Sequence, residues 1–147
     1  MMTKNGIYVA SILEDLEECF KKYCPSKMFL DIGSGNGKVL GLAWRHGASV
    51  RGVEIEEDFY KQTDFKQWVE HCDFDKLDFS IYNILFYFMK GCDDENRLIT
   101  KINKEARDKV IIYRRGSSNK EVEEFISKLS NFKTIDTFKY LYILSYI

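Results

Sequence analysis

Apolar positions recur along this chain with two periods, and the places where one gives way to the other divide it into elements. Val9, Ile12, Leu13, Leu16, Phe20 and Tyr23 fall at helical spacing, which predicts an amphipathic helix. That helix must stop near Pro25, because the residue before a proline is pushed out of the helical region. Residues 27–32 form a short apolar run ending in an acid and then glycines, the pattern of a first strand. Helical spacing returns over 39–44, with Gly47 placed as its stop. Residues 49–54 read as a second strand, again ending on an acid.

The middle is compressed. A short helix is expected over 56–63, a third strand over 67–72 and a strongly apolar fourth strand over 77–85. A helix then starts near Asp93 or Asp94, whose acids suit its first turn, and buries Leu98, Ile99, Ile102 and Ala106. Residues 110–113 are a fifth strand. Ser118-Asn119-Lys120-Glu121 has the form of a capping box, and Val122, Phe125, Ile126 and Leu129 follow at helical spacing. Residues 132–138 and 140–147 are joined too tightly for a crossover helix, so they pair antiparallel.

Strands alternating with helices predict an α/β fold, a three-layer sandwich whose mostly parallel seven-stranded sheet ends in an antiparallel hairpin. Right-handed crossovers collect the loops that follow strands on one rim, where ligands bind in such sheets. The glycine loop, Glu54, Asp73 and the 82–87 region are expected there.

With 147 residues, 45% of them hydrophobic and 31% charged, the chain reads as a single globular domain over 1–147. Twenty-two basic residues against 23 acidic ones give no global field for attracting phosphate. The longest apolar-rich segment, 79–89, is too short to span a membrane, and the N-terminus lacks the apolar core of a signal peptide. Cys19, Cys24, Cys72 and Cys92 form no C-x-x-C pair, and only His46 and His71 are available to join them. No metal site and a cytoplasmic protein with reduced thiols are therefore expected.

The chemistry concentrates in Asp31-Ile32-Gly33-Ser34-Gly35-Asn36-Gly37. Glycines at alternate positions let the chain turn sharply between strand and helix and leave bare backbone for a ligand. An acid before them disfavours a pyrophosphate at the helix start and suits a ligand carrying an ammonium group. Glu54 follows Gly37 by 17 residues at the end of the second strand, where a carboxylate can accept from two adjacent hydroxyls.

In this loop, the placed acids and the element order, the chain resembles the class I S-adenosylmethionine-dependent methyltransferases. The resemblance implies that Asp31, Gly33, Ser34, Gly35 and Gly37 wrap the methionine part of S-adenosylmethionine, with S-adenosylhomocysteine as product. It implies that Glu54 holds the ribose hydroxyls and that Asp73 receives the adenine amino group. The fourth strand normally ends in residues that address the acceptor, which makes Tyr82 and Asn83 the candidate catalytic residues. Tyr82, Phe86 and Tyr87 are candidates for an aromatic wall around a methyl acceptor such as a lysine, whose cationic form such rings attract, with core packing the favoured role for Phe86. No proline follows Asn83, which disfavours adenine N6 methylation.

The expected function is methyl transfer to a macromolecule, protein favoured over nucleic acid and lysine the first acceptor considered. Two alternatives stand beside it. One is a cofactor-binding but inactive partner or regulatory subunit; the other is an NAD-dependent oxidoreductase, which the spacing of the glycines argues against.

Overall fold

The computed structural model describes the backbone of residues 4–92 and 94–147, and the side chains from residue 12 onward except that of residue 93. The order is α1 (Lys4–Tyr23), β1 (Met28–Ile32), α2 (Lys38–Arg45), β2 (Ser49–Val53), α3 (Glu57–Gln62), β3 (Val69–Glu70), β4 (Ile84–Phe88), α4 (Glu95–Glu105), β5 (Lys109–Tyr113), α5 (Asn119–Ser127), β6 (Phe132–Phe138) and β7 (Leu141–Tyr146). The strands form one sheet in the order β3-β2-β1-β4-β5-β7-β6. The first five pair parallel, and β7 runs antiparallel to both β5 and β6. This is the α/β sandwich with a closing hairpin that the alternation of patterns predicts.

Side-chain alternation along the strands separates two cores. Leu30, Ile32, Leu85, Tyr87, Val110 and Ile112 face α4 and α5. Phe29, Phe86, Ile111 and Tyr113 face α1 and α2. On the second face Phe20 meets Phe29 and Phe86 edge-on, with ring centroids 5.3 and 5.7 Å away. Val9, an expected member of the α1 stripe, lies outside the described side chains.

Local sequence explains the starts of α4 and α5. Asp94 caps α4 by accepting from the Arg97 N–H at 3.1 Å; Asp93 lies outside the described residues. Ser118 and Glu121 form the reciprocal capping box of α5, with both bonds at 3.1 Å. Gly52 is needed for a different reason. A Cβ there would sit 2.8 Å from both Leu40 and Ser34, so β2 passes too close to the glycine loop and α2 for any side chain.

Two expected strands move. Lys66–Trp68 form a 3₁₀ turn, which leaves only Val69–Glu70 to pair as β3 instead of 67–72. The apolar run 77–85 is not β4. Asp78 accepts from the N–H and the hydroxyl of Ser80, at 2.9 and 2.6 Å, and winds Phe79–Ile81 into a 3₁₀ turn. The strand begins only at Ile84. Tyr82 and Asn83 therefore lie at the edge where β1 and β4 start, opposite the glycine loop. Asn83 is fixed there: its Oδ1 accepts from the Met28 N–H at 2.8 Å and its Nδ2 donates to Asp108 at 3.3 Å.

Asn83→Ala is expected to lower unfolding stability by about 1–2 kcal/mol through loss of these bonds, read in a urea titration. Gly52→Ala is expected to cost about 1–3 kcal/mol in the same measurement, because the packed side chains of Leu40 and Ser34 must both give way.

Candidate ligand-binding site

The site is built where β1, β2 and β4 end. Gly33, Gly35 and Gly37 all adopt positive φ, at 74°, 56° and 83°, a conformation that side chains oppose. The loop is locked to β2 because the N–H groups of Gly33 and Ser34 both donate to the Val53 carbonyl, at 2.9 and 3.0 Å. One residue on, the Glu54 carboxylate accepts from the Gly35 N–H at 2.6 Å and from the Glu56 N–H at 3.0 Å. Gly91, after β4, closes the other side: its carbonyl oxygen lies 3.2 Å from where a Gly33 Cβ would be.

Two cavities meet at Gly33, Glu54 and Gly91. The larger, about 520 Å³, is walled by Ile12, Leu13, Val39, Phe59 and Phe88 over the glycine loop, with Asp31 and Phe86 behind. The smaller, about 140 Å³, lies between Ile55, Phe74 and Cys92, with Asp73 and Arg97 at its polar side.

Asp31 and Glu54 are 3% and 5% exposed, an unusual pair of buried carboxyls. Glu54 has two backbone donors; no hydrogen bond to the Asp31 carboxyl is found among the described residues. Burial first, and the Glu54 charge second, push the Asp31 carboxyl well above the ordinary carboxylate range. A buried acid with no internal donor is suited to a cationic partner arriving from the cavity. Ser34 Oγ, also buried, likewise has no partner among the described residues.

Asp73 does lie against the smaller cavity, but its carboxylate is already engaged. Arg97 grips it through two bonds of 2.9 Å, and the Asp75 N–H donates to it at 3.0 Å. The guanidinium beside it holds this carboxyl below its ordinary value. Arg97 also pairs with Asp75 and stacks 4.5 Å over the Phe74 ring.

The loop-following rim thus collects Asp31, Gly33, Ser34, Gly35, Gly37, Glu54 and Asp73, but not Tyr82 or Asn83. Nor is there a wall of Tyr82, Phe86 and Tyr87. Phe86 packs on Phe20, while Tyr87 faces the other core, stacks on Phe125 and donates to Glu95 at 2.5 Å. Sequence reasoning missed Phe59, Phe88, Gly91 and Arg97. The first three lack a motif, and the only local signal at Arg97 is an arginine in the first turn of a helix that opens with acids.

No family model and no curated protein matches this sequence. Solved structures match it by shape. The protein PH0226 of Pyrococcus horikoshii superposes with a TM-score of 0.70 over 99% of this chain and 95% of its own, at 17% identity. Magnesium protoporphyrin IX methyltransferase of Synechocystis, with bound S-adenosylmethionine, gives 0.62 over 95% and 77%, at 16% identity. An RNA methyltransferase of Salinibacter ruber, in complex with S-adenosylhomocysteine, gives 0.59 over 99% and 92%, also at 16% identity. The chain has the class I methyltransferase fold.

The Asp31 carboxyl sets a pH dependence. Its value is raised on folding, so the native state keeps a proton that the unfolded chain releases from about pH 4 upward. Stability from this group is complete below that pH and is lost as pH rises towards the raised value. Asp31→Asn is expected to remove this decline and to raise Tm above that of the wild type at pH 7, measured by thermal unfolding of both proteins across pH.

Proposed function

We propose that this protein binds S-adenosylmethionine across the two joined cavities and transfers its methyl group to an acceptor entering the larger one. The observation that carries this reading is the pairing of a bare glycine cradle with two buried acids in different states of satisfaction. One of them, Glu54, is held by backbone donors, and the other, Asp31, waits without one. In this reading Asp31 takes the ammonium of the methionine part, above the backbone of Gly33, Ser34, Gly35 and Gly37. Glu54 keeps free lone pairs on both oxygens for the two ribose hydroxyls. Ile55 and Phe74 supply apolar faces for the base, and Asp73 its polar edge.

When bound, the sulfonium supplies an electrophilic methyl group, and its displacement requires alignment of the nucleophile and exclusion of water. Phe59, Phe88 and Leu13 are the side chains on hand to do both. Tyr82 and Asn83 have no part in this reading, being at the far edge of the sheet.

The neighbours whose acceptors are named act on a porphyrin and on RNA, and none supports protein lysine. No helix among the described residues is long and apolar enough to cross a membrane. Acceptor trials therefore give RNA and protein equal place.

Isothermal titration with S-adenosylmethionine is expected to give micromolar binding. Glu54→Ala should weaken it at least tenfold through loss of the hydroxyl bonds and of the anchored loop. No heat of binding at high micromolar cofactor would sink the proposal. Binding with no transfer of labelled methyl into any fraction of a lysate would leave a non-catalytic subunit, and NADH in place of the cofactor is expected to give no signal.

A further inference from the structure

The acid expected at the base end of the site is held by an arginine that no part of the glycine-loop chemistry requires. A carboxylate has about four acceptor positions, two on each oxygen. On Asp73, Oδ1 accepts from Arg97 Nη1 at 2.9 Å and from the Asp75 N–H at 3.0 Å, which fills it. Oδ2 accepts from Arg97 Nη2 at 2.9 Å, which leaves one position open. The planar guanidinium fixes the carboxylate plane as a lysine could not. Arg97 is itself restrained by Phe74 beneath it, 4.5 Å from the ring, and by Asp75 and Asp94. All of these groups belong to, or adjoin, the smaller cavity.

We infer that Arg97 is a positioning residue that sets the base specificity of this cavity, by orienting Asp73 so that one acceptor position on Oδ2 meets an amino group on the base. The consequence is selective. A base presenting N–H at that edge is accepted, whereas one presenting a carbonyl oxygen meets a fixed anion that has no proton to give. Asp73 is ionised at neutral pH, and the adjacent Arg97 holds its carboxyl lower still, so it has no proton with which to relieve the clash. The inference rests on the cofactor reading above and adds to it the residue that makes the base site discriminate.

The test compares two ligands on the full chain by isothermal titration: S-adenosylhomocysteine and its 6-oxo counterpart, S-inosylhomocysteine. The wild type is expected to prefer the amino form by about tenfold or more. Arg97→Lys, which keeps the charge and loses the fork, should weaken the amino ligand about tenfold and leave the oxo ligand unchanged, so the preference collapses. Asp73→Asn should abolish the preference too, since a carboxamide can turn its own N–H toward an oxo group.

A wild type that binds both ligands equally overturns this inference alone. Equal loss for both ligands in Arg97→Lys also overturns it, because that is what a merely structural role in anchoring α4 would produce. A wild type that binds neither overturns the cofactor reading and this inference with it. Should Arg97→Lys not fold, the wild-type preference and its loss in Asp73→Asn decide the matter.

Discussion

The site depends on what happens at the end of β2, where a carbonyl and a carboxylate from successive residues hold two loops at once. The Val53 carbonyl takes two N–H groups from the glycine loop, and the Glu54 carboxylate takes one from Gly35 and one from Glu56. Backbone N–H groups in a left-handed turn have no secondary-structure partner and would otherwise face an apolar cavity at a cost. Supplying acceptors from the neighbouring strand lets the loop keep three positive-φ glycines without leaving those donors unpaired. It also explains the bare β2 backbone: Gly52 must lack a side chain so that Ser34 and Leu40 come close enough for those bonds to form.

Parity in the strands then distributes roles. In β1, Leu30 and Ile32 enter the α4–α5 core, which puts Asp31 on the α1–α2 side with Phe29 and Phe86. An acid on that face has aromatic and aliphatic neighbours, hence its raised value, and it opens on the larger cavity. Glu54 lies between the two cavities and has donors. Two carboxyls of similar burial therefore differ in their hydrogen bonding, because backbone donors reach Glu54 and none reaches Asp31 among the described residues.

Much of this was legible in the chain. The glycine spacing, the acids at the ends of β1 and β2, the capping box at Ser118 and the closing hairpin are local patterns, each with one physical cause. What misled was an apolar run. Residues 77–85 look more like a strand than like anything else, yet Asp78 and Ser80 offer the backbone side-chain hydrogen bonds that compete with a ladder. The run that does pair, Ile84–Phe88, overlaps it by only two residues, and this shift carried Tyr82 and Asn83 to the wrong edge. Arg97 is a different kind of omission. Its partners Asp73 and Asp75 are more than twenty residues away in sequence, and no local period announces a contact of that range.

The compressed middle has a structural answer. α3 is only six residues long and buries none of them, so it cannot hold the β2–β3 crossover to the sheet as a longer helix would. Aromatic rings replace it. Phe65 lies across the face of α2 that carries Gly37 and Gly41, and a Cβ at either glycine would come within 2.9 Å of its ring. Trp68 stacks on Phe65 with centroids 5.4 Å apart, and Trp44 follows at 5.8 Å. Such contacts add energy beyond the area they bury and do so with few residues. Gly37 thus answers to two demands: its positive φ completes the ligand loop, and its missing side chain seats the ring that fastens the shortened crossover. The cofactor cradle and the economy of this chain meet at one residue.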